Sequence, residues 1–288
     1  MNKIAETNLI LNADGSIYHL GLMPGELAET IFLVGDPDRV PKVSKYFDSI
    51  EIKKQKRELI THTGYVNKKR VSVVSTGMST DNIDIVLNEI DALFNIDFAE
   101  RTIKEKLTSV RLVRLGTSGG LQADIPLDSV VVSHFSVGFD GLLPFYERQI
   151  TTVEDDLLRA ANYALGASFP AVFYAAEGDH NLVTLFSKHC QSGITATCGG
   201  FYAPQGRILR AKGSVDELVE KLQQFKFQEH RFVNFEMETA AIYGLGKILG
   251  HQCCSLNAIV ANRVTQKFST DFANTIDKMI KNAIEVLL

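Results

Sequence analysis

The stretch VRLVRLGTSGG, residues 110–120, decides the fold, because it is an apolar, β-branched run that ends in glycines. Such a run is typical of a buried strand followed by a turn. The same form recurs in TIFLVG (30–35), VSVVSTG (71–77), DSVVVSHFSVG (128–138) and SLNAIVANR (255–263). Continuous apolar strands of this kind suit a sheet that is covered on both faces.

Helical periodicity separates these strands. It is found in residues 81–94, 154–165, 215–225 and 274–288. Strands that alternate with helices predict an α/β sandwich. Residues 95–108, NIDFAERTIKEKLT, are charged and amphipathic, and we expect a surface helix or a surface excursion there. No linker rich in Pro, Gly or Ser divides the chain.

The composition excludes several classes of protein. The 288 residues are 45% hydrophobic and 22% charged, as in ordinary globular proteins, and the net charge of −4 gives no basis for binding nucleic acid or an anionic membrane. No apolar run reaches membrane-spanning length, and the first residues do not resemble a secretory signal. The four cysteines show no zinc-like spacing, so we expect reduced thiols, a cytoplasmic protein and no metal site.

The stretch VNFEMETAAIYGLG, residues 233–246, places two carboxylates just before a run of small and apolar residues. In an extended segment Asn234, Glu236 and Glu238 share one face, because side chains alternate. We therefore expect a strand end that delivers both glutamates to the start of a buried helix. Acidic residues also cap helices, since the helix dipole favours negative charge there, so this stretch alone leaves both roles open.

Two strand ends combine glycine with arginine. Gly35, in VGDPDRV, allows a close backbone approach, and Arg39 follows within one turn. Arg114 precedes the glycines of RLGTSGG, where Thr117 and Ser118 supply hydroxyls. Exposed backbone N–H groups with an arginine favour phosphate or a similar anion. The chain lacks G-K-[ST] after these glycines, so this is not a nucleoside triphosphate loop.

Five motifs in this order carry a resemblance: GDPDR, STGM, RLGTSGG, FYAPQGR and NFEMETAA. Together they resemble the nucleoside phosphorylase family, and its uridine phosphorylase branch in particular. The resemblance implies one domain over 19–288 after an N-terminal extension, 1–18. It implies a three-layer α/β/α sandwich with a mixed, partly barrel-like sheet. The implied reaction is phosphorolysis of uridine to uracil and ribose 1-phosphate, in pyrimidine nucleoside salvage, with no organic cofactor.

The resemblance also implies roles for individual residues. The phosphate binders would be Gly35, Arg39, Arg57, Arg114 and Thr117. The ribose contacts would be His19, Glu236, Met237 and Glu238. The base contacts would be Ser118, Gly119, Phe201, Gln205, Arg207 and Arg263. Arg207, Gln205, Arg114 and Glu238 would act in catalysis.

The resemblance further implies a homo-oligomer, either a dimer or a hexamer of three dimers. Arg57 and His19 match residues that reach a neighbouring subunit's site, so active sites would be shared. Some members of the branch bind a monovalent cation at a subunit interface. Glu58 matches one ligand position, whereas Asn82 occupies a position where serine is more usual. The resemblance therefore does not decide whether this chain binds the ion. The branch often has glycines after STG, where this chain has Met78, Ser79 and Thr80.

Three alternatives are open. A purine nucleoside phosphorylase would need an aspartate where this chain has Asn262. A nucleosidase would not need the phosphate arginines. A non-catalytic nucleoside sensor or storage protein would bury converging arginines without an anionic partner, which costs stability.

Overall fold

Residues 3–166 and 169–288 are described in the computed structural model of the chain. The strands are β1 (Thr30–Val34), β2 (Ser49–Lys56), β3 (Leu59–Val66), β4 (Lys69–Ser75), β5 (Ile96–Asp97), β6 (Thr102–Ile103), β7 (Arg111–Gly120), β8 (Val130–Gly138), β9 (Tyr174–Glu177), β10 (Gln191–Thr197), β11 (Lys226–Phe227), β12 (His230–Glu236), β13 (Gln252–Asn262) and β14 (Lys267–Phe268). The helices are α1 (Val40–Ser44), α2 (Thr80–Asn95), α3 (Thr152–Leu165), α4 (His180–Ser187), α5 (Leu218–Gln224), α6 (Thr239–Ile248) and α7 (Phe272–Leu287).

The main sheet is mixed and partly closed. Its strands follow the order β11-β12-β10-β8-β13-β7-β1-β4-β3-β2. The pairs β1–β7 and β13–β7 are parallel, whereas β13–β8 is antiparallel. Because β12 also pairs with β7, the strands β7, β13, β8, β10 and β12 close into a ring. The predicted mixed, partly barrel-like sheet is therefore confirmed.

Helices cover the sheet on both faces, as the apolar strands predict. Side chains alternate along β1: Ile31 and Leu33 pack with α2 and α6, whereas Phe32 and Val34 pack with α1, α4 and α7. These residues are fully buried on both faces. The arrangement is the predicted three-layer α/β/α sandwich.

The predicted elements are present, with two corrections. The glycines of 110–120 do not form a turn, because β7 continues to Gly120 and stays paired with β13 along its whole length. A helix over 95–108 is also wrong. α2 ends at Asn95, and the short strands β5 and β6 form a hairpin there. Residues 95–108 instead form the surface excursion that was the alternative expectation. A smaller difference is that α5 begins at Leu218 rather than at residue 215.

The segment before β1 packs on the main core. Leu9 and Ile17 are buried in the same apolar cluster as α2, and Ile4 N–H donates to Arg101 O at 2.8 Å. The domain boundary at residue 19 stays a prediction. Among the residues that the structure describes, no helix combines the length and the apolar character needed to cross a membrane. All four cysteines are free.

Candidate active site

A cavity of about 580 Å³ opens at the carboxyl ends of the central strands. β1 pairs with β7 as far as Arg114, and β12 pairs with β7 at Gly119 and Gly120. Between these two points the edge of β7 faces the cavity, which is where the Gly116–Ser118 segment lies. Ligands in α/β sheets bind at such a change of strand neighbour. Most predicted site residues line the cavity: Gly35, Arg39, Arg114, Thr117, Ser118, Gly119, Phe201, Gln205, Arg207, Glu236, Met237 and Glu238.

Arg39 is a buried cation without a carboxylate partner among the described residues. Asp36 accepts Asp38 N–H and so begins the short helical turn that carries Arg39. Arg39 Nη1 donates to Leu115 O at 3.1 Å, whereas its buried Nε has no hydrogen-bond partner in the described part of the chain. Burial lowers the pKa of Arg39, and the nearby charge of Arg114 lowers it further. The cavity therefore holds a positive group that an anion would stabilise.

Arg114 is buried between acidic and neutral partners. Its Nη1 donates to Asn257 Oδ1 at 2.7 Å, and its Nη2 donates to Glu238 Oε2 and lies 3.6 Å from Glu236 Oε2. Burial alone would lower the pKa of Arg114, but the charges of Glu238 and Glu236 together raise it above its usual value. The guanidinium lies over Gly116, where a Cβ would overlap Nη1, so this position requires glycine.

The two glutamates of the 233–246 stretch have different surroundings. Glu236 Oε2 accepts the N–H groups of Glu238 at 2.9 Å and Thr239 at 2.8 Å, and its Oε1 accepts the Thr197 hydroxyl at 2.5 Å. Burial raises the pKa of Glu236, the charge of Arg114 opposes this, and the charge of Glu238 adds to it. Glu236 therefore caps the start of α6, which is one of the two roles that the sequence left open for these glutamates.

Glu238 makes no capping hydrogen bond with its side chain. Its Oε1 accepts Ser79 N–H at 2.8 Å, and its Oε2 accepts Arg114. Ser79 has φ 83° and ψ 156°, a conformation that is essentially restricted to glycine. Where the uridine phosphorylase branch often has glycine, this chain therefore has a strained serine that contacts Glu238.

Ser118 also points to a ligand. Its side chain is buried and lines the cavity, yet its Oγ has no hydrogen-bond partner within 3–166 and 169–288. Buried hydroxyls are normally hydrogen-bonded, so a bound molecule is expected to supply the partner.

The far end of the cavity carries amide and guanidinium donors beside an aromatic ring. Arg207 lies 3.8 Å from the centre of the Phe201 ring, and its Nη1 donates to Gln205 Oε1 at 2.6 Å and to Phe201 O at 2.8 Å. Burial lowers the pKa of Arg207 to about 10, and the charge of Arg263 contributes. These groups suit a flat, polar heterocycle.

Three predicted residues lie outside the cavity of one protomer. Arg263 donates to the backbone carbonyls of Gln205 at 2.7 Å and Gly206 at 3.2 Å, so it holds the loop that carries the base-end donors. Arg57 is exposed at the β2–β3 turn with φ 55°. His19 Nδ1 lies 2.6 Å from Glu89 Oε1. Their direct ligand contacts stay predictions.

Sequence reasoning missed part of the cavity wall. Apolar side chains come from the turn after β4, from the ends of β12 and β13, and from β14: Met78, Phe235, Val260, Ala261 and Phe268. The only signal was the position of these residues at or after strand ends. Phe268 is 64% exposed, and its ring lies edge-on to that of Phe272, with centroids 6.0 Å apart.

The two residues that the resemblance connects with a monovalent cation, Glu58 and Asn82, both line the cavity. Glu58 lies exposed at the cavity rim, but Asn82 turns its amide nitrogen to Met78 O at 2.9 Å. No cluster of three or more metal-binding side chains occurs in the described ranges. Binding of this ion stays a prediction.

Comparisons with known proteins agree with this geometry. The model of the Phosphorylase superfamily matches residues 29–288. A Trypanosoma brucei nucleoside phosphorylase, whose crystal structure is described as showing uridine phosphorylase activity, has a TM-score of 0.88 and 30% identity, with 97% of this chain and 99% of that chain covered. A Thermococcus kodakarensis uridine phosphorylase is 27% identical, over 95% of this chain and 87% of the relative. A DeoD-type purine nucleoside phosphorylase of Listeria monocytogenes is 24% identical, over 94% and 98%.

Proposed function

Because the chain belongs to the phosphorylase superfamily, we propose that it is a uridine phosphorylase, which converts uridine and phosphate to uracil and ribose 1-phosphate. The observation that carries the pyrimidine assignment is the base end of the cavity. There Gln205 and Arg207 present N–H donors beside Phe201. The named activities of the Trypanosoma and Thermococcus relatives agree with it.

The chemistry follows from the positions of the charges. Phosphate held by Arg39 and Arg114 attacks C1′ of the ribose, while the bond from C1′ to the base nitrogen breaks. The pyrimidine leaves with developing negative charge, which Gln205 and Arg207 stabilise. One preorganised donor of this kind contributes roughly 10²–10³ in rate. Glu238 accepts hydrogen bonds from the sugar hydroxyls, and Met237 gives the sugar an apolar contact.

The purine alternative is disfavoured by the surroundings of Asn262. Its Nδ2 donates to Gln122 O at 2.8 Å and Ile125 O at 3.0 Å. Its Oδ1 accepts the N–H groups of Val264 and Thr265. Both ends of the amide are therefore used by the backbone, and an acid that protonates a purine is not available from this position.

The test is a product assay with two nucleosides. Uracil should appear from uridine only when phosphate is present, and inosine should be a far poorer substrate. Release of uracil at an equal rate without phosphate indicates a nucleosidase. Faster cleavage of inosine than of uridine would show that the pyrimidine assignment is wrong.

We also propose that each active site contains residues from two subunits, as the family resemblance implies. Glu58, in the same β2–β3 turn as Arg57, is exposed and lines the cavity, whereas Arg57 is exposed and does not line it. A two-fold dimer would place Arg57 and His19 in the partner's site, with two equivalent sites. Three such dimers would form the expected hexamer. Cytoplasmic location and a role in pyrimidine salvage are parts of the same proposal.

Subunit complementation tests the shared site. Arg57→Ala and Arg114→Ala proteins, each inactive alone, are mixed and allowed to exchange subunits. A mixed dimer has one site with both arginines, so activity should return. Confirmed exchange without activity would contradict the shared site.

A further inference from the structure

Asn257 is a fully buried asparagine in the middle of β13, behind the cavity wall. It lies beside Gly116 in the parallel β13–β7 pairing. Its Oδ1 accepts Arg114 Nη1 at 2.7 Å. Because it is not among the cavity-lining residues, Asn257 reaches the site only through Arg114.

A buried network fixes the orientation of this amide. Asn257 Nδ2 donates to Ser255 Oγ at 3.1 Å, and Ser255 Oγ lies 2.9 Å from Thr239 Oγ1. Ser255 N–H donates to Tyr243 Oη at 2.9 Å, and that hydroxyl donates to Ser133 O at 2.7 Å. The donor end of the amide is thereby held on Ser255, so its oxygen must face Arg114.

The charged and the neutral hydrogen-bond acceptors of Arg114 have different effects on its attraction for an anion. Glu238 and Glu236 hold the guanidinium through opposite charge, which weakens its attraction for another anion. Asn257 holds it through a neutral acceptor. A neutral acceptor orients the guanidinium and leaves its positive charge for an incoming ligand.

We propose that Asn257 is a positioning residue for phosphate binding, which orients the Arg114 guanidinium over Gly116 without neutralising it. This inference rests on the proposed phosphorylase function. It assigns to this chain a determinant of phosphate affinity that lies outside the cavity. It also explains why an asparagine is buried in the centre of β13.

The test measures binding of inorganic phosphate by titration calorimetry, without nucleoside, and binding of uracil in a separate titration. Hydrogen bonds to charged groups correspond to an effect of about tenfold to a hundredfold on affinity. Asn257→Ala should weaken phosphate binding at least tenfold and change uracil binding less than about twofold. Asn257→Asp keeps the shape but adds a third carboxylate, and should also weaken phosphate binding at least tenfold.

Asn234 provides the matched control, because it is equally buried, on β12, and its Oδ1 accepts Thr195 Oγ1 rather than Arg114. Asn234→Ala should retain phosphate affinity within about twofold. If Asn257→Ala does not fold, the isosteric Asn257→Asp variant decides the question. Wild-type phosphate affinity in a folded Asn257 variant, or equal losses for phosphate and uracil, would overturn the inference. A wild-type protein that does not bind phosphate would overturn the proposed function as well.

Discussion

Replacing Arg39 by methionine should stabilise the empty protein and abolish its stabilisation by phosphate. Arg39 is 8% exposed. Within the described residues its side chain makes one hydrogen bond, to Leu115 O, and no ion pair. A buried N–H without a partner costs about 1–3 kcal/mol, and replacing a buried charge by an apolar side chain of similar volume is often neutral or stabilising by about 1–4 kcal/mol. We therefore expect Arg39→Met to raise the free energy of unfolding by about 1–2 kcal/mol in phosphate-free buffer.

Phosphate should reverse this order. A ligand at 100 times its dissociation constant stabilises the folded state by about 2.7 kcal/mol. The wild-type protein should gain this stabilisation, and Arg39→Met should not. The order of the two melting temperatures should therefore depend on phosphate. The variant should melt about 2–4 °C higher than the wild type without phosphate, and the wild type should melt higher than the variant with saturating phosphate.

The assay is thermal unfolding with and without phosphate at constant ionic strength. Arg111→Met is the control, because Arg111 is an exposed arginine on the same strand as Arg114. It should change stability by less than about 0.5 kcal/mol and keep the phosphate effect. A lower melting temperature for Arg39→Met without phosphate would refute the reasoning about its buried charge. A full phosphate effect in that variant would refute its assignment to the phosphate site.

Three further perturbations follow from the structure. Gly116→Ala should displace the Arg114 guanidinium, since a Cβ at this position overlaps Nη1, and should weaken phosphate binding about tenfold or more by calorimetry. Ser79→Gly should raise the free energy of unfolding in urea by about 1 kcal/mol by relieving φ 83°, whereas Ser79→Ala should not. Stability should fall as the pH drops below about 6.5, because burial lowers the folded-state pKa of three histidines and the unfolded chain then binds more protons. These histidines are His62, His134 and His230. Replacing any two of the three by glutamine should reduce the loss of unfolding free energy between pH 7.5 and 5.5. An unchanged loss would show that these histidines do not cause the pH dependence.

The sequence by itself determined the fold class and the strands at its centre. The stretches 30–35, 71–77, 110–120, 128–138 and 255–263 have apolar residues at successive positions, so both faces of each strand carry apolar side chains, which favours a sheet that is covered on both faces. The family match confirms the nucleoside phosphorylase prediction that the ordered motifs supported. β2 and β10 gave no comparable signal, because charged residues alternate along the first and small polar residues fill the second.

Only the tertiary structure decided how the site residues divide their work. Glu236 and Glu238 are two positions apart and chemically identical, yet Glu236 accepts two backbone N–H groups at the start of α6, whereas Glu238 accepts the hydrogen bond of Arg114. Asn257 lies 143 positions from Arg114 in the chain, and their hydrogen bond exists because β13 and β7 are neighbours in the sheet. Strands buried on both faces read as near-continuous apolar runs, so their local pattern does not distinguish one neighbouring strand from another. Hydrogen bonds between distant segments therefore depend on a strand order that only the tertiary structure shows.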